Sequence, residues 1–373
     1  MSLRIGIVVG EISGDKLASD FVRVLKSHYP ELLVEGILGP ALLQTGGRSL
    51  FPMERLSVMG LIEPLKRLPE LWRIQQAVIK HFLDNPPDFF LGVDSPDFNL
   101  RIEKKLKAQG IPTIHYVSPS VWAWRQGRIH GIKQSVDLML TLFPFEAQFY
   151  SDHQIPVSFV GHPLADQIPL LKAEKAAHNH TVITLMPGSR NNEIRYLGET
   201  VLKTAKLCFQ RNKNLRFLVP LVSEQHQRNL QQLQMKIAPE LPIEWIMNDA
   251  SGAIHAADVV LVTSGTATLE VMLHKKPMVV LYKMHPLTYQ IAKRLIKVPY
   301  IALPNLLAQE LLVPEYIQQE ATPESLSNAL FQFLESPEKV KQLVERFTHL
   351  HEMLRQNASE KAVEAVLRKF TRW

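Results

Sequence analysis

The feature that most narrows the fold is a rhythm. Short apolar runs, each closed by Gly, Ser, Pro or Asp, alternate with longer stretches of helical periodicity. Residues 5–9, 89–93, 113–117 and 138–142 read as buried strands in the first half, and residues 182–186, 217–219, 259–262 and 278–281 in the second. Runs that brief and that apolar suit strands covered on both faces, the condition of a parallel sheet. Residues 191–209 show the intervening pattern: Ile194, Leu197, Val201, Ala205 and Cys208 recur at intervals of three or four and trace one helical face. The class is α/β, with doubly wound sheets.

The rhythm restarts after residues 163–181, where Pro163, Pro169, a Lys/Glu/Ala run and His178-Asn179-His180 have little apolar periodicity and read as an interdomain connection. At 373 residues there is room for two domains of roughly 100–200 residues each. The expected layout is a Rossmann-like domain over residues 1–168 and a second over 169–349, facing one another across a cleft. Helical patterns at 323–334 and 339–370 end the chain; residues from about 350 to 373 either return to the first domain or exchange between chains, which would make a homodimer. Ligands of such sheets sit beyond the carboxyl ends of strands, so the loops after strands are where chemistry belongs.

Composition removes several classes. The lone cysteine, Cys208, excludes an intrachain disulfide and fits a reducing compartment. The first apolar run leads straight into Glu11 and Asp15 without a cleavage site, and no stretch approaches the roughly 20 apolar residues of a membrane span. A cytoplasmic protein is expected. Lys plus Arg number 42 against 36 Asp plus Glu, a formal charge of +6 that favours nucleotides, phosphorylated metabolites or an acidic membrane face. No nucleic-acid motif is present, and no H-E-x-x-H or Cys/His spacing suggests a metal.

Five loops carry candidate chemistry. The first strand ends in Gly10-Glu11-Ile12-Ser13-Gly14-Asp15 at a helix start, where glycines permit close approach and backbone N–H groups face outward. It is neither G-x-G-x-x-G nor a P-loop, and Ser13 or Asp15 as a plain helix cap is the competing account. Asp94-Ser95-Pro96-Asp97 sets two carboxylates around a proline; either could cap the helix, and either could be a partly desolvated general base. Ser118 to Arg125 holds Trp122, Trp124 and Arg125, suited to a sugar or acyl pocket with a phosphate contact, or to interlayer packing. Gly188-Ser189-Arg190 opens a helix as an anion site, and Ser264-Gly265-Thr266 repeats that arrangement with Glu270 one turn further along. A diphosphate on the helix tip and a ribose hydroxyl on Glu270 would fit.

Taken with residues 58–63, 115–125, 143–146, 161–163 and 303–307, these loops resemble the lipid-A-disaccharide synthase family, in order along most of the chain. Ser-Pro-Ser-Val-Trp-Ala-Trp-Arg (118–125) is the most specific element; the Ser-Gly-Thr element is shared more widely among nucleotide-sugar enzymes. Family sequences often carry alanine where this chain has Ile12 and Ser95, and neither position has a proposed polar role.

The resemblance implies a two-domain glycosyltransferase-B fold and inverting transfer from UDP-2,3-diacylglucosamine to 2,3-diacylglucosamine 1-phosphate (lipid X), without metal or other cofactor. It implies Asp97 as base with Asp94 tuning it, and Arg190, Ser189, Ser264 and Thr266, beside Gly188 and Gly265, on the donor diphosphate. Glu270 would bind the ribose, with Asn305 nearby at the cleft. Glu11 and Ser13, between Gly10 and Gly14, would approach sugar or phosphate, and the Trp122/Trp124 loop with Arg125 would support the acceptor.

Residues 58–74 mix large apolar side chains with Lys66, Arg67 and Arg73, a pattern for peripheral docking on the anionic cytoplasmic face of the inner membrane through Leu61, Leu68 and Trp72. An amphipathic helix packed on the sheet is the alternative. A UDP-N-acetylglucosamine 2-epimerase would share the architecture but has no use for the 118–125 loop, and a basic binding protein is the rival of a different class.

Overall fold

The computed structural model describes residues 3–56, 63–171 and 180–370, the side chains of residues 63–66 excepted. The chain divides into two compact units, Met1–Asp166 with Leu354–Trp373, and Gln167–Met353. In the first unit the strands are β1 (Arg4–Val9), β2 (Leu33–Ile37), β3 (Arg48–Ser49), β4 (Phe89–Val93), β5 (Thr113–Tyr116), β6 (Leu138–Thr141) and β7 (Val157–Phe159). They form one parallel sheet in the order β3-β2-β1-β4-β5-β6-β7. The second unit holds β8 (Thr181–Met186), β9 (Leu215–Leu221), β10 (Ile243–Met247), β11 (Val259–Thr263), β12 (Met278–Tyr282) and β13 (Glu315–Ile317), parallel in the order β10-β9-β8-β11-β12-β13.

The eight strands expected from apolar runs are all present and are the inner ones. β4, β5, β6 and β11 are buried at every residue, because helices cover both faces of the sheet. The five strands that the runs do not reveal, β2, β3, β7, β10 and β13, lie toward the sheet flanks. Their sequences (LVEGI, RS, VSF, IEWIM, EYI) mix polar residues with partial exposure.

In each sheet, the strand order reverses direction once, between β1 and β4 and between β8 and β11. Loops diverge there, and their carboxyl ends leave a crevice, the usual ligand position of a doubly wound sheet. Register fixes which loops meet: Val9 pairs with Val93 and Val93 with Tyr116, so the loops after β1, β4 and β5 emerge side by side.

The last helix, Ala358–Phe370, completes the first unit. Ala362, Val363 and Val366 are buried in the same core as Phe21, Val22 and Leu25 of the helix Ile12–His28. Its start is capped by Asp166, whose carboxylate accepts the N–H groups of Asn357 (2.9 Å) and Ala358 (2.7 Å). The helix Glu63–Asp84 buries Ile74, Val78 and Phe82 while leaving Leu68 and Trp72 53% and 60% exposed. Leu61 lies outside the described residues, as do residues 172–179 of the expected connection. Among the described residues no helix is long and apolar enough to cross a membrane.

Candidate active site

At the first switch point the backbone is held in an uncommon shape. Asp94 and Ser95 both have positive φ (53° and 43°) immediately before Pro96 opens the helix Pro96–Lys107. Non-glycine residues in that region cost on the order of 1–3 kcal/mol each and persist only where their surroundings impose them. Here Asn99 imposes them. Fully buried, its amide donates to the carbonyls of Val8 (3.2 Å), Val93 (3.3 Å) and Asp94 (2.8 Å), tying the ends of β1 and β4 to the turn. Gly10 is required by contact: a methyl there would lie 2.0 Å from Ser95 Oγ.

Three expectations change in this unit. The helix Ile12–His28 begins at Ile12 with Glu11 as its cap residue, so neither Ser13 nor Asp15 caps it. Asp15 is instead buried and accepts the N–H groups of Gly39, Ala41 and Leu42 at 3.0, 2.7 and 3.2 Å, capping the separate helix Pro40–Gln44. Glu11 and Ser13 are exposed beside it, and Gly14 meets Val93 and Asp94 only at ordinary distances. Asp97 is not desolvated: its side chain is 84% exposed and ion-paired to Arg128 at 2.5 Å. Asp94 is half-buried, with Oδ1 accepting the N–H of Ser95 at 2.8 Å.

The 118–125 loop divides into a fixed and an open part. Trp122 packs edge-on against Phe145 at 4.6 Å, and its indole N–H donates to Glu146 at 3.2 Å. Glu146 also accepts the N–H groups of Leu142 and Phe143, but burial outweighs these bonds and pushes its carboxyl up to about 8. Trp124 and Arg125 are exposed, with the guanidinium 4.4 Å above the indole. Val117 enters the loop at φ 79°, an outlier for a β-branched residue. Sequence reasoning missed the pair beneath this site: Glu103 and His115, both fully buried, meet at 2.7 Å, and burial raises the Glu103 carboxyl. His115 is thus a core histidine held through Nδ1, while its Nε2 and the second oxygen of Glu103 are buried without a hydrogen-bond partner among the described residues.

In the second unit the two expected anion sites differ. Gly188 has φ +110°, and the carboxylate of Glu193 fills the turn, accepting the N–H groups of Ser189 (2.9 Å) and Arg190 (3.1 Å) and pairing with the Arg190 guanidinium (3.1 Å). The backbone donors expected for a diphosphate are therefore already taken by the chain's own carboxylate at the start of the helix Asn191–Arg211. Arg190 itself reaches outward, 81% exposed.

The loop after β11 is open. Gly265 and Thr266 are exposed at the start of the helix Thr266–Leu273, and nothing lies within 4 Å of where a side chain on Gly265 would project. Ser264 donates its hydroxyl to the Ile301 carbonyl at 2.9 Å, and beside it is a cavity of about 230 Å³ walled by Tyr282, Tyr289 and Ile317. Glu270 is half-buried on that helix; burial, then the charge of Asp249, raises its carboxyl.

Asn305 is committed to the chain's own backbone. It is fully buried, and its amide uses all four hydrogen bonds, donating to Val313 O and Glu315 Oε1 and accepting from the N–H groups of Leu312 and Val313. Its work is to fix the segment between Ile301 and Glu315. Among the described residues no three His, Cys, Asp or Glu side chains cluster as metal ligands.

Two parallel units of seven and six strands, each with polar loops at its switch point, define a doubly wound α/β class of two-domain proteins. The UDP-GlcNAc 2-epimerase of Neisseria meningitidis, solved bound to UDP-GlcNAc, aligns over 99% of this chain and 100% of its own at a TM-score of 0.65 and 14% identity. The calicheamicin glycosyltransferase CalG4 aligns over 100% of both chains at 0.63 and 13%. Likeness at that identity speaks for the fold alone, a glycosyltransferase-B architecture.

Sequence decides the rest. Residues 5–368 match the lipid-A-disaccharide synthetase family model. The lipid-A-disaccharide synthase of Cellvibrio japonicus is 49% identical, covering 98% of this chain and 97% of its own, and that of Haemophilus influenzae 48% identical, covering 97% and 96%. The chain belongs to the lipid-A-disaccharide synthase family.

Proposed function

We propose that the chain transfers 2,3-diacylglucosamine from UDP-2,3-diacylglucosamine to the 6-hydroxyl of 2,3-diacylglucosamine 1-phosphate, with inversion, giving a β(1→6) disaccharide 1-phosphate and UDP. The observation that carries this reading is the gathering of the family's matched loops at the carboxyl ends of β1, β4 and β5 in one unit and of β8 and β11 in the other.

In this reading Asp97 takes the proton of the acceptor hydroxyl, the oxygen bonds to the donor anomeric carbon, and the bond from that carbon to the diphosphate oxygen breaks toward UDP. Asp94 and the Asn99 clamp hold the turn in shape. The exposed Asp97 is oriented by Arg128, and desolvation comes with the acyl-bearing acceptor rather than from the fold. Glu11, Ser13, Trp124 and Arg125 border the acceptor side.

On the donor side the diphosphate meets the Arg190 guanidinium and the open start at Ser264–Thr266, where helix N–H groups and the dipole offset its charge. Glu270 takes the ribose. Because Glu193 shares Arg190, the donor must draw that guanidinium away from an internal carboxylate. Leu68 and Trp72 rest on the cytoplasmic face of the inner membrane as a peripheral anchor.

The test is UDP release from the diacyl donor with and without the acceptor, in wild type and Asp97→Asn. Release that needs the acceptor and falls about 10²–10⁴-fold in the variant, at unchanged donor affinity, supports the assignment. Conversion of UDP-N-acetylglucosamine to its manno epimer with no acceptor, or undiminished turnover of Asp97→Asn, overturns it.

A further inference from the structure

The helix Pro286–Leu295 follows β12 in the second unit and has no buried residue along its length. At 100° per residue its side chains sort into two faces. Tyr289, Ala292 and Lys293 look inward and wall the cavity beside Ser264. Leu287, Ile291 and Leu295 share the opposite face, 70%, 61% and 43% exposed. Three large aliphatic residues aligned on solvent form a contiguous apolar strip, of the kind that marks an interaction surface rather than a scattered exposed leucine.

Charge says what meets it. Arg294 flanks the strip on the helix and Lys297 follows its end, while the sequence from Lys283 to Gln309 contains no aspartate or glutamate. An aliphatic strip bordered by cations, on a stretch of sequence that holds no acidic residue, matches a surface with hydrocarbon below and negative charge above.

We propose that the helix Pro286–Leu295 is a docking surface of the second unit for an anionic lipid bilayer, seated by Leu287, Ile291 and Leu295 and attracted by Arg294 and Lys297. It is separate from the Leu68 and Trp72 anchor of the first unit and from the residues assigned to transfer. It deepens the membrane reading given above, and its test is arranged so that either surface can fail without the other. Docking there sets a helix that lines the Ser264 cavity against the lipid.

The experiment uses the full chain and sedimented vesicles of 30% phosphatidylglycerol in phosphatidylethanolamine, with phosphatidylcholine vesicles for comparison. Leu287→Ser/Ile291→Ser/Leu295→Ser should partition about tenfold more weakly onto the anionic vesicles. Arg294→Gln and Lys297→Gln should each weaken binding about fivefold at low salt and hardly at all on phosphatidylcholine. Leu68→Ser/Trp72→Ser, assayed in parallel, reports the other surface alone.

A label keeps the test valid if the triple variant folds poorly. The single native cysteine, Cys208, is fully buried, so Ile291→Cys can carry a nitrobenzoxadiazole probe with little background. Its emission should shift to the blue on anionic vesicles, while a probe at Gln225→Cys, exposed on the helix Glu224–Ile237, should not. Unshifted emission at 291, or undiminished partition of the folded triple variant, overturns the proposal. So does a self-associated species by light scattering that the triple variant abolishes, since the strip would then face a second copy.

Discussion

Glu146 sets burial against hydrogen bonding, and Glu146→Gln decides between them. Three N–H groups point at its carboxyl, from Leu142, Phe143 and the Trp122 indole, yet the residue is 5% exposed and burial pushes its pKa from 4.5 up to about 8. Between those values the folded state holds a proton that the unfolded chain has released. The group's contribution is therefore full below pH 4.5, declines as pH rises through the window and is lost above about 8. At about 1.4 kcal/mol per pH unit, the decline from pH 5 to 8 is roughly 3–4 kcal/mol.

Glutamine cannot titrate. Its oxygen can keep the two backbone N–H groups, but its amide then faces the Trp122 N–H, donor against donor, at a loss of about 1 kcal/mol. Wild type should be more stable than the variant by about 1 kcal/mol at pH 5, and the variant ahead by roughly 2–3 kcal/mol at pH 8. Urea denaturation of both proteins at pH 5, 6, 7 and 8, followed by tryptophan fluorescence, gives the difference at each pH. A difference that stays constant across the series refutes the reasoning, because the carboxyl would then be charged throughout and the three donors would outweigh burial.

Arg190→Ala should weaken UDP binding about ten- to hundredfold by calorimetry, the loss of a charge-assisted contact; equal affinity would remove Arg190 from the donor site. Asn305→Ala leaves the buried N–H and carbonyl of Val313 and the half-buried N–H of Leu312 without partners and should cost roughly 2–4 kcal/mol in denaturation; a cost under about 1 kcal/mol would show that water replaces the amide. Gly10→Ala drives a methyl to 2.0 Å from Ser95 Oγ, displacing the Asp94–Asp97 turn, and should lower turnover about tenfold or more. Gly10→Ala/Ser95→Gly should recover most of it, and failure of that rescue would place the defect elsewhere.

What the sequence made legible follows from burial. Inner strands meet helices on both sides, so β4, β5, β6 and β11 are buried at every position, and β4, β6 and β11 are apolar at nearly every one and stand out as runs. Flank strands such as β7 (VSF) and β13 (EYI) keep a wet side and pair with one neighbour, so nothing local distinguishes them from loops. The candidate site was legible to the same degree, because its loops are those that leave inner strands. Hidden were the bonds made across the chain. Asp15 looks like a cap for its own helix but serves Gly39, Ala41 and Leu42; Asn305 looks like a ligand contact but is saturated by Leu312, Val313 and Glu315. Each depends on a partner that only the folded backbone brings near.

The last helix also sets an order of events on the ribosome. Gln167–Met353 is a single uninterrupted stretch and can close as soon as it emerges. The first-made half is completed later, because Phe21, Val22 and Leu25 share their core with Ala362, Val363 and Val366, more than 300 residues on. The segment translated first is thus the last to be finished, and through most of synthesis it carries an uncovered apolar flank, the state in which nascent chains aggregate or recruit chaperones.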